Sequence, residues 1–277
     1  MRRRGRVAVT AALLGAALVV DFPFLWIVST SFKARDEVFR VPPTLVPEAP
    51  TAKAYGKVLA EELGGAPAFL RYLGNTFVVA ALATAGSLLI CSLAAYAFGR
   101  LRFAGRGALF WLFLLAMMIP SQVTLIPLYV LTARVGLMDT LAALVLPSLS
   151  SAYGVFLLRQ FFSTLPRDLE DAARLDGASE VVIWWRIVLP LSRPALATLG
   201  VFTFLGVWTD FLWPLLVISS PEKRTLEVGL ALFRDVYTRE WPIQMAAALL
   251  TLLPLVAVFL LTRRFFTRGI AFTGIKG

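Results

Sequence analysis

The sequence contains no histidine, only one cysteine (Cys91), and charged residues at just 16% of its 277 positions. Without histidine the chain has no imidazole base, no histidine metal ligand and no common near-neutral titrating group. One cysteine excludes an intramolecular disulfide. The acidic residues are scarce and do not form the carboxylate clusters that a membrane-bound lipid or glycosyl transferase would need. We therefore expect no catalytic site, no metal site and no enzyme activity.

Long apolar runs occupy most of the chain. Hydrophobic residues make up 58% of the sequence and the mean hydropathy is +0.78. About 20 apolar residues cross a bilayer as a helix, and a spanning backbone must satisfy its own hydrogen bonds. The sequence therefore predicts an all-α polytopic membrane protein, a single domain over residues 1–277. Its six transmembrane helices are expected at 7–31, 72–98, 108–131, 141–161, 195–218 and 243–266.

The first apolar run, residues 7–31, follows four arginines and has the basic start of a signal peptide. It is too long for the hydrophobic region of a signal peptide, and no clear small-residue cleavage site closes it. We therefore expect an uncleaved membrane anchor. No inverted repeat is visible in the sequence, which argues against an ion-coupled secondary transporter.

The 27 basic residues outnumber the 17 acidic ones, and they are distributed unevenly along the chain. With six spans, both termini and the second and fourth loops share one side of the membrane. That side carries 16 basic and 5 acidic residues, net +11, whereas the other carries 11 and 10, net +1. The positive-inside rule then predicts that both termini and residues 163–194 are cytoplasmic. The charge indicates membrane orientation, and we expect no nucleic-acid partner.

Residues 163–194 form a long polar connection between two apolar runs. The sequence Asp-Ala-Ala-Arg-Leu-Asp-Gly occupies residues 171–177, and its small side chains would let another surface approach a helix backbone closely. We expect a short helix here, capped by Asp168. The apolar residues 181–189 are then expected to lie against the membrane domain.

Two prolines, Pro190 and Pro194, are expected to end that apolar segment before the fifth span. The alternative interpretation of residues 163–194 is an amphipathic helix that lies in the membrane interface without a partner.

The spacing of residues 171–190 resembles the EAA loop of ABC-transporter permease subunits. In that loop Glu-Ala-Ala is followed after three residues by Gly, and after nine more by Ile-x-Leu-Pro. The matching residues here are Asp171, Ala172, Ala173, Gly177, Ile187, Leu189 and Pro190. The leading acid is Asp171 instead of Glu, so the charge is kept on a side chain one methylene shorter.

Other segments match the permeases of carbohydrate-uptake ABC importers, in order and over nearly the whole chain. They are residues 31–33, 75–76, 95–98, 118–120, 208–214 and 274–277. The closest type is the second, six-span permease of maltose systems. The resemblance implies an inner or plasma membrane protein of a bacterium or archaeon that forms half of a translocation path.

The resemblance also implies partners. These are a second permease subunit, two ATPase subunits that bind ATP and Mg, and an extracytoplasmic solute-binding protein. The chain itself has no Gly-x4-Gly-Lys-Ser/Thr phosphate loop, so we expect it to hold no cofactor. The resemblance also implies which residues couple to the ATPase. They lie in or next to the loop helix: Glu170, Asp171, Ala172, Ala173, Asp176 and Gly177.

Two acidic residues, Asp21 and Asp210, lie within predicted spans, where a carboxylate is costly and often functional. For Asp21, pairing with a neighbouring helix is the favoured hypothesis. Asp210 lies between Trp208 and Trp213 and is expected near mid-membrane. By helical spacing it shares a face with Gly206, Trp213 and Pro214.

Trp208, Asp210 and Trp213 are therefore candidates for a translocation path or a gate. Ordinary helix packing is the alternative for all three. The implied solute is a sugar, a polyol or glycerol phosphate. The alternatives are a permease for a non-carbohydrate solute and, less favoured, an ion-coupled secondary transporter.

Overall fold

The computed structural model describes residues 2–60, 62–63, 66–236 and 240–271. Apart from a two-residue antiparallel ladder, Glu62–Leu63 with Ala66–Pro67, the regular structure of these residues is helical. The chain divides into two units. One comprises residues 1–70 and 229–254, and the other residues 71–228 and 255–277.

Fifteen α-helices occur in the described ranges, and shorter 3-10 or π turns adjoin several of them. In chain order they are α1 (Arg2–Ser31), α2 (Arg35–Val38), α3 (Lys53–Ala60), α4 (Ala68–Arg100), α5 (Arg106–Ala116), α6 (Ser121–Arg134), α7 (Ala142–Val145), α8 (Ala152–Ser163), α9 (Asp168–Leu175), α10 (Glu180–Ile183), α11 (Leu189–Leu191), α12 (Arg193–Trp208), α13 (Leu212–Val217), α14 (Leu226–Val236) and α15 (Trp241–Ala271).

Three continuous helical stretches are long and apolar enough to cross a bilayer, Val9–Ser31, Ala68–Arg100 and Trp241–Arg263. They confirm continuous helices at the first, second and sixth predicted spans. Three further candidates are pairs of helices joined at a sharp bend, so the described residues contain up to six spans if each pair counts as one. Side chains on α1 such as Val19 are largely exposed to the surroundings, as expected for a lipid-facing surface.

The third predicted span, residues 108–131, is broken. Helices α5 and α6 meet at an angle of 98°, and Pro120 lies at the break with an extended backbone. Proline cannot donate the hydrogen bond that would continue α5, and it disfavours a helical residue before it. Pro127, in contrast, is accommodated inside α6.

The fourth predicted span, residues 141–161, is also bent, by 40°. The chain passes from α7 through a 3-10 turn at Leu146–Leu149 and then restarts as α8. Ser151 caps α8, because its hydroxyl oxygen accepts a hydrogen bond from the Gly154 amide. Serine at such a position satisfies a backbone donor that a helix start would leave free.

The prediction of one continuous fifth span over residues 195–218 is wrong. Helix α12 ends at Trp208, and α13 begins at Leu212. Pro214 explains the break, because a helical proline removes one backbone bond and its ring clashes with the carbonyl four residues earlier, that of Asp210. At its start, α12 meets the preceding helical segment Glu180–Leu191 at 83°, with Ser192 between them.

The main core of the second unit joins the last turns of α4 to α8, the segment after α9 and the start of α12. Its buried side chains include Tyr96, Leu158, Phe162, Ile183 and Leu199. Gly154 on α8 permits close packing, since a Cβ there would lie 2.9 Å from the Leu199 side chain and 3.1 Å from Cys91 Sγ. The expectation that part of residues 181–189 packs against the membrane helices is confirmed by Ile183, Trp184 and Val188 in this core.

Candidate coupling site

Helix α9 is the short helix expected in the segment 163–194, but it starts one residue earlier than expected. Asp168 is its first residue, and the preceding Arg167 makes no side-chain cap. The prediction that Asp168 caps the helix is therefore wrong. Three acids, Asp168, Glu170 and Asp171, instead occupy the first turn, where carboxylates interact favourably with the positive end of the helix dipole.

Gly177 ends α9 in a left-handed conformation, with φ of +81°. The amide of Gly177 donates to the Arg174 carbonyl at 3.0 Å, and the amide of Ala178 donates to the Ala173 carbonyl at 2.9 Å. This pair of bonds is a Schellman motif, in which glycine avoids the strain that a Cβ would bring. A Cβ at Gly177 would meet nothing within 4 Å in this chain, so backbone conformation and not internal packing requires the glycine.

A buried ion pair connects α9 to the end of α4. Arg100 Nε lies 2.8 Å from Glu170 Oε1, and both side chains are almost completely buried. Arg100 Nη2 also donates a hydrogen bond of 2.7 Å to the Leu165 carbonyl. Glu170 therefore faces the interior, although the sequence grouped it with the coupling residues. Removing one partner of such a pair would leave an uncompensated buried charge.

Arg174 contacts three carboxylates, those of Glu170, Asp171 and Glu180. Its guanidinium lies 2.7 Å from Asp171 Oδ1, 2.8 Å from Glu180 Oε1 and 3.4 Å from Glu170 Oε2. The hydrogen bond to Glu180 raises the pKa of Arg174 further above its usual value. Tyr96, on α4, donates its hydroxyl to Glu180. A network of charges thus fixes α9 and the start of α10 against α4.

The opposite side of α9 is exposed. Asp171, Ala172, Asp176 and Gly177 are accessible, whereas Ala173 is half-buried and packs on the core. Leu175 lies on the same surface and is 91% exposed, although the sequence analysis did not single it out. Its spacing from Asp171 and Ala172 places it on their face, and that spacing was the available signal. Helix α9 therefore presents an apolar and acidic surface on its exposed side, while the Arg100–Glu170 ion pair holds its buried side against α4.

The two tryptophans proposed for the path are buried in this chain. Trp208 stacks on Phe204, with ring centroids 5.4 Å apart. Trp213 donates its indole N–H to the Ala143 carbonyl at 2.9 Å. These contacts match the packing alternative for both rings.

Asp210 lies in the break between α12 and α13 and is half-buried. Its Oδ1 accepts a 3.4 Å hydrogen bond from the Trp213 amide, as a residue at a helix start does. The expectation of one helical face shared with Gly206, Trp213 and Pro214 is wrong, because the helix is not continuous. Asp21 is exposed on α1, and none of the described residues forms a hydrogen bond or ion pair with it.

A second polar cluster, which the sequence did not predict, holds residues 219–226. Asp139, in a left-handed conformation with φ of 56°, accepts backbone hydrogen bonds from Ser219 and Ser220 at 3.0 and 2.8 Å. Lys223 Nζ lies 2.9 Å from Asp139 Oδ2. The pKa of Asp139 lies well below its usual range, and the hydrogen bond from the Ser220 hydroxyl contributes most to lowering it. We call these four residues the Asp139 clasp.

Asn75 and Thr76, at the start of α4, secure the same segment. The Asn75 amide group donates to the carbonyls of Glu222 and Arg224 at 2.7 and 3.0 Å. The Thr76 hydroxyl accepts a 2.7 Å hydrogen bond from the Leu226 amide. Within the described ranges, no group of three or more His, Cys, Asp and Glu residues could hold a metal ion.

Comparisons with known proteins cover nearly the whole chain. A family model described as "Binding-protein-dependent transport system inner membrane component" matches residues 86–271. The sn-glycerol-3-phosphate transport system permease protein of Rhizobium meliloti is 38% identical over 267 residues, covering 94% of each chain. The arabinooligosaccharides transport system permease protein of Halalkalibacterium halodurans is 34% identical, over 94% of this chain and 93% of its own length.

A solved structure has the same fold. It belongs to a bacterial ABC transporter involved in the import of the acidic polysaccharide alginate. The matched chain superposes with a TM-score of 0.84, at 24% sequence identity, and the match covers 96% of this chain and 98% of the other. The broken spans described above therefore belong to a fold that is known from a solved transporter.

Proposed function

Because the chain belongs to the family of binding-protein-dependent transport system inner membrane components, we propose that it is the membrane-spanning permease subunit of an ATP-driven importer for a sugar or a glycerol phosphate. The two permease relatives serve arabinooligosaccharides and sn-glycerol-3-phosphate, which supports this solute class. The members of this family are membrane components of transport systems, and the family is not an enzyme family. A single permease domain spans residues 1–277, with a coupling loop at 163–194 inside it.

The chain works with other proteins in this proposal. A second permease subunit completes the translocation path, two ATPase subunits bind ATP and Mg, and an extracytoplasmic binding protein delivers the solute. The chain itself lacks a phosphate loop and supplies membrane passage and coupling. Nucleic acid has no part in this function.

Helix α9 is the element that contacts the ATPase in this proposal. Its exposed face offers Leu175 for an apolar socket and Asp171 and Asp176 for basic residues at the rim of that socket. The single observation that carries the coupling role is the buried Arg100–Glu170 ion pair. It ties α9 to the end of a 33-residue helix, α4, so that α9 and α4 move as one body when the ATPases close.

The orientation follows from the charge distribution. Both termini and residues 163–194 are cytoplasmic in this proposal, because their side of the membrane carries a net charge of +11 against +1. The Asp139 clasp is then extracytoplasmic, on the side where the binding protein docks. An impermeant thiol reagent on intact cells should label Pro43→Cys and not Ser179→Cys, both in a Cys91→Ala background.

The solute path or gate involves the break at Asp210. A helix break frees backbone groups, and such breaks persist in a membrane only where protein or a water-filled cavity satisfies them. Asp210 remains partly accessible there, and Trp208 and Trp213 brace the two helix ends. We propose that Asp210 contacts the solute or the gate, and that the two tryptophans position it.

Gly177→Trp tests the coupling role. In proteoliposomes that contain the whole importer, this change should abolish uptake and solute-stimulated ATP hydrolysis, since a bulky side chain would separate α9 from its socket. Gly177→Asn is the matched control, because asparagine tolerates the left-handed conformation and adds a smaller side chain. We expect it to retain most activity. Normal uptake by the Gly177→Trp complex at equal expression would remove the coupling role, and uptake driven by an ion gradient alone would favour a secondary transporter.

A further inference from the structure

A basic cavity of about 440 Å³ lies in the first unit, formed by residues 1–70 and 229–254. Four cationic side chains, Lys33, Arg35, Lys53 and Lys57, line it together with one acid, Glu240. Glu240 lies 3.3 Å from Arg35 Nη1 and 3.7 Å from Lys57 Nζ. In the described part of the chain the Lys53 ammonium has no ion-pair partner. The cavity thus carries a surplus of positive charge.

The start of helix α3 adds to this charge. Lys53 begins the helix and Ala54 follows, and both residues line the cavity. The first backbone amides of a helix have no carbonyl partners within the helix, and they carry the positive end of its dipole. A helix start beside several cations is a favourable place for a phosphate group.

An apolar groove of about 800 Å³ adjoins the basic cavity. Lys33, which is buried, links the two, because its Nζ lies 4.8 Å from the centroid of the Trp26 ring. Trp26 lines the groove, together with the aromatic rings of Phe22, Phe39 and Trp241. The charged and the apolar parts therefore meet at one pair of side chains.

The depth of this groove in the membrane follows from the end of α1. Ser29, in the last turn of α1, donates its hydroxyl to the Leu45 carbonyl, so residues 39–46 fold back beside that helix end. Val41 and Val46 in this segment are 90% and 74% exposed. Apolar side chains exposed at the end of a spanning helix lie at the level where lipid headgroups meet acyl chains.

We propose that the basic cavity and the apolar groove together bind one anionic phospholipid. Its phosphate occupies the cavity near Lys53 and Lys57, and one acyl chain lies in the groove along Trp26. The surplus of positive charge favours an anionic over a zwitterionic headgroup. The adjoining apolar groove favours a lipid over a free phosphate or a polar solute. This site requires only that the chain resides in a bilayer, and it is independent of solute and coupling.

Native mass spectrometry of the detergent-purified importer tests the site, with phosphatidylglycerol and phosphatidylcholine as probes. We expect retained phosphatidylglycerol in the unaltered complex and an affinity on the order of tenfold lower in Lys53→Gln/Lys57→Gln, since each surface cation contributes to anionic lipid binding. The matched control is Arg40→Gln. Arg40 lies in the same connecting segment, but it pairs with Glu48 and does not line the cavity.

A second variant guards against loss of assembly in the double substitution. Ala34 is exposed and lines the same cavity, so Ala34→Glu adds a second carboxylate there and should also lower phosphatidylglycerol binding. Equal binding of the two lipids, or unchanged binding in these variants, would overturn the proposal. Displacement by inorganic phosphate or glycerol phosphate would make the cavity a free-anion site. Absence of any bound phosphatidylglycerol in the unaltered complex would also overturn the proposal.

Discussion

The two polar clusters of the second unit use similar ion pairs in opposite surroundings. The Arg100–Glu170 pair at α9 is almost completely buried, with 2% and 3% of the two side chains exposed. The Lys223–Asp139 pair is open to solvent, with 44% and 27% exposed. A buried pair is destabilising when broken on one side, whereas an exposed pair contributes little. The comparison indicates that α9 is held rigidly, and that backbone hydrogen bonds hold residues 219–226.

The largest effect is expected from Arg100→Met. This change removes the closer and more deeply buried partner of the Glu170 carboxylate, which then keeps only its 3.4 Å contact with Arg174. We expect the free energy of unfolding to fall by roughly 3 kcal/mol, the lower end for a broken buried pair. The measurement is the thermal unfolding midpoint of the purified chain, together with the amount of complex recovered.

The double variant Arg100→Met/Glu170→Leu is the control for that prediction. Replacing both charges by apolar side chains of similar size is often close to neutral, so most of the lost stability should return. If the single variant were as stable as the double variant, the pair would not be the buried contact described above. In the double variant we also expect less uptake per ATP hydrolysed, because apolar packing orients α9 less strictly than a charged pair.

A smaller, local effect is expected from Asp139→Ala. It removes the acceptor of the Ser219 and Ser220 amides and places alanine in a left-handed backbone conformation that it adopts poorly. Amide hydrogen exchange at residues 219–226 should become faster, while exchange in α9 stays unchanged. Asp139→Asn should have an intermediate effect, because asparagine keeps one acceptor and tolerates the backbone conformation. Unaltered exchange in the alanine variant would show that the Asp139 clasp does not hold residues 219–226 in place.

The pH dependence of the clasp has a definite sign. Because the pKa of Asp139 is lower in the folded protein, its contribution is present above the unfolded pKa of about 4 and is lost as pH falls toward the folded value. Exchange at residues 219–226, corrected for intrinsic rates, should therefore be constant from about pH 8 to pH 5 and increase only in stronger acid. An increase that began near neutral pH would contradict this account.

The smallest effect is expected from Lys223→Gln. The exposed ion pair with Asp139 contributes little in water, and the hydrogen bonds from Ser219 and Ser220 remain. Exchange in this segment should change less than in Asp139→Asn. A larger change would mean that the Lys223 charge, and not the backbone, holds the segment.

Much of the fold was predictable, because bilayer thickness and hydrophobic runs determine where long helices lie. The first, second and sixth spans followed from this, and the short helix α9 followed from its small and acidic residues. The breaks were harder to predict, because a proline in a spanning segment can either be accommodated within a helix or interrupt it, depending on its neighbours. Pro127 lies inside α6 without interrupting it, whereas Pro214, inside the short helix α13, follows the break at Asp210 by four residues.

The positions of the side chains around α9 could not be derived from the sequence. Arg100 and Glu170 are 70 residues apart in the chain, and only the packing of α4 against α9 brings them together. From the sequence alone, Gly177 fits two roles equally well, the end of a helix and a position where another surface approaches the backbone closely. Its positive φ identifies the helix end within this chain and leaves contact with a partner as a separate proposal.

Cross-linking from Leu175 is the measurement that tests the coupling account most directly. In a Cys91→Ala background, Leu175→Cys modified with a thiol-reactive photo-cross-linker should join this chain to an ATPase subunit, in membranes that contain the whole importer. The cross-link should depend on nucleotide, because ATP-driven closure moves the socket around α9. Failure to cross-link any ATPase, or labelling of Leu175→Cys by an impermeant reagent outside intact cells, would contradict the account.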